Sequence, residues 1–273
     1  MKLSFTTFGY GSFLPWVPAY TIEEAVKRIA GFGYDGIEIG ASRPHAWPSD
    51  LGLEHRKKLK KMINSYDLEI AAICPVVYEF NLASCIENER KDTIKYYIDC
   101  IQLAADLECK VVVFVPGWIV YPTSYEESWK WLKEGIHKIH DRTRDLNVSI
   151  AIEPINSYWV NLVTRTDDAL RLIKEVNLKN VKVMLDTQHL YLERENPIDA
   201  VEKCRELLVH VHIADTASTS SERVVTGKGS FGFESFINVL KKVEYKYYLS
   251  AELWGPNPDQ IALENIKYLK TLI

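Results

Sequence analysis

Short runs of Val, Ile and Leu recur along the whole chain, and each is followed by a longer stretch in which apolar residues return every three or four positions. The short runs predict strands at Leu3–Phe8, Gly36–Ile39, Ile70–Cys74, Val111–Val115, Ser149–Glu153, Val181–Asp186, Leu208–Ile213 and Tyr248–Leu253. The longer stretches predict helices at Ile22–Gly31, Leu53–Tyr66, Arg90–Leu107, Tyr125–Leu146, Thr166–Glu175 and Phe233–Val243, with a last one opening at Pro258 or Asp259. Thr21 ahead of Glu23 and Glu24, and Thr166 ahead of two acids, carry the chemistry of helix N-termini.

Eight strand-helix units are the number that closes a barrel, and such a barrel takes roughly 250 residues. The pattern therefore predicts an α/β fold, a single (β/α)8 TIM barrel spread over residues 1–273 as one domain, with no linker or low-complexity segment to divide it. The longest irregular stretches, Gly40–Asp50, Pro75–Glu87, Gly117–Ser124 and Asp215–Gly232, all follow strands, at the end of a barrel where active sites are built. Their aromatic content predicts a lined pocket, with Trp16, Trp118 and Trp254 as candidates for its wall or for packing between subunits.

Charge narrows the choice of partner. With 33 Lys and Arg against 37 Asp and Glu, a net charge of -4 and a pI near 6.0, the chain offers no cationic field for a polyanion. Its longest basic stretches, Arg56-Lys57-Lys58 and Lys60-Lys61, open an amphipathic segment and read as a solvated helix face, so no nucleic acid is expected. The five cysteines are widely spaced without a C-x-x-C pair, which argues against a disulfide framework and against a zinc knuckle. With no signal-like start and no membrane-length apolar run, a cytoplasmic protein with no membrane partner is expected.

The chemistry concentrates at the ends of the last four predicted strands, which finish on Glu153, Asp186, His212 and Glu252. A charged residue closing an apolar strand is costly to bury unless it is paired or ligated. In a parallel barrel these positions meet at one rim, and hard oxygens with one imidazole suit Mn²⁺, Mg²⁺ or Co²⁺. A buried ion-pair network with Arg165 or Lys182 is the alternative, although no matching basic cluster accompanies the acids.

At these residues the chain resembles the xylose-isomerase-like sugar isomerase/epimerase superfamily, in particular the D-tagatose/D-psicose 3-epimerases and the fructoselysine 3-epimerases. The marks run over nearly the whole sequence: Gly33-Tyr-Asp-Gly-Ile-Glu-Ile39, Arg43-Pro-His-Ala46, Glu153-Pro154, Asp186-Thr-Gln-His189, His210-Val-His-Ile-Ala-Asp215, Gly227-Lys-Gly229 and Glu252. The resemblance implies one divalent metal, Mn²⁺ first, on Glu153, Asp186, His212 and Glu252, with Glu153 and Glu252 also acting as an acid-base pair. It further implies C3 epimerisation of a ketose or ketose derivative through a cis-enediolate, and a homodimer or homotetramer. Two carboxylates reaching opposite faces of one carbon are what inversion by proton transfer requires.

Substrate contacts are expected at His189, three residues after Asp186 as in the ketohexose epimerases; at His45, in the Arg-Pro-His-Ala element shared with the fructoselysine group; and at Glu38, which would touch substrate or orient a neighbour. The chain departs from the ketohexose pattern where a substrate-binding Glu is replaced by Trp159, a flat apolar wall, and where an Arg is replaced by Ser218, a loss for which Arg223 is the candidate substitute. His210 is expected to turn outward as a structural residue. Lys228 is a candidate phosphate contact or an ordinary exposed turn lysine, and Gly227-Lys-Gly229-Ser230 lacks the spacing of a nucleotide-binding loop.

A keto-inositol-type dehydratase or a hydroxypyruvate-type isomerase shares the same ligand set and stands as the alternative. An endonuclease IV-like DNA repair nuclease is the remote one, because a trinuclear zinc site needs further His and Asp ligands and DNA a basic surface. A silent sugar-binding barrel would be expected to lack one of the acid-base carboxylates, and both Glu153 and Glu252 are present.

Overall fold

The structure, a computed structural model, describes residues 1–11, 17–76 and 80–273. Its strands are β1 (Lys2–Thr6), β2 (Gly36–Ala41), β3 (Glu69–Pro75), β4 (Val111–Phe114), β5 (Ser149–Ile152), β6 (Val181–Asp186), β7 (Leu208–Ile213), the short β8 (Asp215–Thr216) and β9 (Arg223–Val224), and β10 (Tyr248–Ala251). Eight of them pair in parallel, β1 to β7 in sequence and β10 closing between β7 and β1, so the sheet is the closed barrel that the sequence predicts. The other two, β8 and β9, form an antiparallel hairpin in the loop that follows β7.

Between the strands run α1 (Ile22–Gly31), α2 (Leu53–Asn64), α3 (Glu87–Asp106), α4 (Tyr125–Thr143), α5 (Thr166–Val176), α6 (Thr187–Leu192), α7 (Pro197–Cys204), α8 (Phe233–Lys242) and α9 (Pro258–Leu269). Local chemistry sets several boundaries. Thr21 with Glu24, and Ser124 with Glu127, close reciprocal capping boxes on α1 and α4. At α5 the expected cap shifts by one residue: Thr166 lies within the first turn, and the Asp168 carboxylate accepts from the Arg165 and Thr164 amides. The short α6 and α7 were not anticipated, since fewer than three turns leave little apolar periodicity to read.

Period-two alternation sorts the strand residues into two cores. Ile37, Ile39, Val112, Phe114, Ile150, Ile152, Val183, Leu185, Val211 and Ile213 belong to the core shared with the helices. The barrel interior holds a separate cluster of smaller residues, among them Ala72, Cys74, Val113, Ala151 and Met184. Those small side chains leave room inside the barrel for the buried polar residues Glu38, His210 and His212. The four buried cysteines and the exposed Cys85 are all free thiols, and no described helix is long and apolar enough to cross a membrane.

Candidate active site

Four neighbouring strands deliver the four strand-end residues to one rim. Glu153 is the first residue past β5, its N–H still donating to Phe114 O at 2.9 Å, and Glu252 is the first past β10, its N–H donating to Ile213 O at 3.1 Å. Asp186 ends β6 and stands opposite His212 in the ladder with β7. Asp186 also caps α6, with Oδ1 accepting from the Gln188 and His189 amides at 2.7 and 3.0 Å, which leaves Oδ2 to face the site. One ligand atom from each of the four residues lies within 4.8 Å of the others, and only Glu252 is more than marginally exposed.

His212 Nδ1 is the centre of this group. It lies 3.3 Å from Glu153 Oε1, 3.4 Å from Glu252 Oε2 and 3.8 Å from Asp186 Oδ2, and it is buried without a hydrogen-bond partner. Burial alone would lower the His212 pKa, but the carboxylates of Glu38, Glu252 and Glu153 hold it well above the usual imidazole range. The site therefore attracts positive charge, and a divalent ion in place of a proton answers the same field. Burial likewise works to raise Asp186, yet Arg223, His189 and His212 hold its carboxyl below the ordinary range.

His210 departs from expectation, while Glu38 takes the second of its two expected roles and bonds to neighbours. Glu38 is fully buried inside the barrel beneath His212, not in contact with the cavity. His210 and His212 both donate through Nε2 to Glu38 Oε2, at 2.6 and 3.0 Å. His210 thus points inward, since residues two apart on a strand share a face; the bulge at Val209 comes before both and changes neither. A carboxylate only accepts, so these bonds keep one His212 proton on Nε2, and the second proton of the charged ring, on Nδ1 among the acids, is the one a bound ion would displace. Glu38 orients a ligand candidate rather than touching substrate. It also belongs to a second group with Cys74 and His212, but burial and the Glu38 charge keep the Cys74 thiol protonated, and His212 Nε2 is already committed.

Arg223 enters from β9. Its guanidinium donates to Asp186 Oδ2 at 2.9 Å and pairs with Glu252 Oε2 at 2.7 Å, so it ties together two of the three strand-end carboxylates. The loop that carries it is held by Asp215, which the sequence reading left without a role. The buried Asp215 carboxylate accepts from the amides of Thr216, Gly227, Gly229 and Phe231 at 2.9 to 3.0 Å. The Gly227-Lys-Gly229 turn thus wraps a carboxylate of its own chain, and a Cβ at Gly229 would collide with Thr216 O and the Asp215 carboxylate. Asp215→Ala strands four amides, those of Thr216 and Phe231 in buried residues, and is expected to lower stability by about 3 kcal/mol, a buried orphan donor costing about 1–3 kcal/mol. Asp215→Asn is expected to lose less; equal denaturant midpoints for Asp215→Ala and the parent protein would contradict this role.

Above the rim lies a cavity of about 670 Å³. His189, Trp159, Arg223, Trp118 and Trp254 line it, with Glu153 and Glu252 reaching it from the rim. The Asn156 side chain accepts from the Tyr158 amide at 3.1 Å and so turns its NH₂ to His189 Nδ1 at 2.8 Å. That leaves the His189 ring proton on Nε2, 3.9 Å from Glu153 Oε1 and facing the cavity. No signal in the sequence marked Asn156.

His45 is not among the cavity residues. It is buried, with Nε2 bonded to Tyr20 O at 2.9 Å, so the structure gives it a backbone partner in place of a position on the cavity wall. Lys228 pairs with Glu264 outside the cavity, so it is not placed for a phosphate there. Trp16 lies outside the described residues.

The xylose isomerase-like TIM barrel family model matches residues 26–272. A fructoselysine 3-epimerase from Shigella flexneri is 24% identical over 234 residues, 85% of each chain. A 3-dehydro-D-guloside 4-epimerase from Escherichia coli is 24% identical over 261 residues, 92% of this chain and 94% of the relative. Among solved structures, the apo form of an E. coli 3-keto-D-glucoside 4-epimerase superposes with a TM-score of 0.84 at 23% identity, covering 99% of both chains.

Proposed function

Because the chain belongs to the xylose isomerase-like TIM barrel family, we propose that it is a divalent-metal-dependent epimerase of a keto sugar, moving a proton between the two faces of a carbon beside the carbonyl. The observation that carries this reading is the convergence of Glu153, Asp186, His212 and Glu252 around an unpartnered His212 Nδ1. Three carboxylates and one imidazole are a hard donor set, which fits Mn²⁺ first and Mg²⁺ or Co²⁺ after it. The two relatives named above epimerise different carbons, position 3 of a ketose derivative and position 4 of a 3-keto sugar. Each carbon is next to a ketone, where removal of a proton is eased by delocalisation into the carbonyl.

When bound, the ion would polarise that carbonyl and stabilise negative charge on its oxygen. Everything else falls to the side chains. Glu153 and Glu252 stand at the two ends of the row of strands β5, β6, β7 and β10, so a sugar lying across the row has one carboxylate at each face. One takes the proton from the reacting carbon and the other returns a proton to the opposite face. His189 Nε2–H is placed to donate to a sugar oxygen beside Glu153. Arg223 holds the Asp186 and Glu252 carboxylates in register, and the aromatic walls exclude water from the reacting carbon.

The test is an exchange experiment. Chelator-stripped protein is mixed in D₂O with a panel of ketoses, ketose phosphates, 3-keto-glucosides and inosose, with and without Mn²⁺, and products are followed by NMR. Deuterium is expected at the carbon beside the carbonyl, only when metal is present, together with the inverted epimer. Loss of water from the sugar would instead assign a dehydratase, and no exchange with any sugar would overturn the reading.

A further inference from the structure

We propose that the outer part of the cavity is a second subsite that holds a flat apolar substituent, so that the substrate is an unphosphorylated keto sugar joined to an aromatic or similarly flat group rather than a free ketose. This rests on the function proposed above and names the substrate class of the same site.

The first argument is size and polarity. A cavity of about 670 Å³ lies in the range of about 300–1,000 Å³ that holds drug-sized ligands, well beyond the needs of one free hexose. The polar groups that would serve a sugar, Glu153, Gln188, His189, Arg223 and Glu252, are confined to one region near the strand ends. In addition, Val115, Ile155 and Val160 pack with Trp118 as an apolar cluster separate from both structural cores, and all four line the cavity. Trp159, 57% exposed, continues that wall. A free sugar has hydroxyls around its rim and only small C–H faces, too little apolar area to cover such a wall, whereas a flat apolar group would bury it.

The second argument is that this wall is built rather than incidental. The Asn81 side chain brackets Trp118, donating to its carbonyl at 2.8 Å and accepting from its amide at 3.1 Å. Asn161, in the loop after β5, does the same to Ile119, accepting from its amide at 2.7 Å and donating to its carbonyl at 3.3 Å. Gly117 has φ +95°, and a Cβ there would lie 2.3 Å from Asn81 Oδ1, so the close approach requires glycine. Two amide side chains thus pin the backbone of consecutive residues and fix the point from which the indole reaches into the cavity before any ligand arrives, which reduces the ordering cost of binding.

The third argument excludes the common alternative substituent. Arg223 is the one Lys or Arg among the described cavity residues, and it is already engaged by Asp186 and Glu252. Glu222 adds a further acid to the lining. A phosphate would meet carboxylates with no cation reserved for it.

The test uses paired probes. Binding of phenyl and methyl β-D-glucopyranoside to the chelator-stripped protein is measured by calorimetry, and Mn²⁺-dependent exchange is measured with the corresponding phenyl and methyl 3-keto-glucosides, with D-fructose and with D-fructose 6-phosphate. The phenyl compound of each pair is expected to win by at least tenfold, in Kd for the glucosides and in kcat/KM for the keto sugars. Trp118→Ala is expected to raise KM for the phenyl keto-glucoside at least tenfold with little change in its kcat, and Trp118→Phe to recover most of the loss, which a merely unfolded variant would not do. Equal or better use of the methyl compound, of D-fructose or of the phosphate would overturn the subsite while leaving the epimerase intact. Exchange with no keto sugar at all would overturn the epimerase, and the glucoside pair would then decide the subsite alone, equal Kd values rejecting it.

Discussion

Glu153→Gln and Glu252→Gln are each expected to lower kcat for epimerisation by about two to four orders of magnitude, the usual worth of a positioned acid-base group. The amide keeps the shape of the side chain and one oxygen while removing its capacity to take a proton. The two losses should not look alike in D₂O. Each variant retains one carboxylate, on one face of the sugar, and so is expected to exchange the reacting proton of one epimer only, without producing the other. The epimer that exchanges should switch between the two variants. Metal content, measured alongside, separates this effect from weakened ligation, since each Glu is also one of the four residues around His212 Nδ1. Full epimerisation by either variant with its metal bound would remove that carboxylate from the mechanism.

Glu38→Ala is expected to cost about 3–5 kcal/mol of stability, the range for removing one partner of a buried ionic pair. Glu38 is completely buried and its Oε2 receives both His210 and His212, so alanine would leave two imidazole N–H groups without an acceptor. Burial alone would raise the Glu38 carboxyl, but the His212 charge and both hydrogen bonds hold it below the usual carboxylate range, which places the ionised form in the folded protein. His210, by contrast, is pushed down by burial and serves as a neutral donor. With the tautomer of His212 no longer fixed, Mn²⁺ affinity should fall about 10–100-fold. Glu38→Gln keeps one oxygen and should regain part of the stability while its Mn²⁺ affinity stays reduced. Denaturant unfolding and Mn²⁺ titration followed by electron paramagnetic resonance read the two effects separately. A Glu38→Ala protein with unchanged midpoint and unchanged affinity would show that the carboxylate is neither paired nor orienting.

What could be read along the chain was whatever depends on near neighbours. Strand and helix periods differ, so the eight barrel strands and most helices were legible, α1 to the residue at Ile22–Gly31. Glu153, Asp186, His212 and Glu252 were legible for the same reason, because each could be placed at the end of its own strand without knowing which strands adjoin. Short elements were not: α6, α7 and the hairpin of β8 and β9 are too brief for a period to emerge. The inward turn of His210, against its expected outward one, follows from strand alternation, which puts it on the same face as His212.

Barrel closure decided the rest. Glu38 meets His210 and His212 across 172 and 174 residues of chain, and no local pattern encodes that meeting. Arg223 reaches Asp186 and Glu252 only because Asp215 gathers four amides of the same loop around its carboxylate. The pinning of Trp118 by Asn81, and of Ile119 by Asn161, likewise joins separate loops. Spacing along the backbone is enough to set the order of strands and helices and the residues at the strand ends. Which side chains orient the strand-end group, and which wall stands over it, was decided by tertiary structure, because these contacts exist only once distant segments are brought within hydrogen-bond reach.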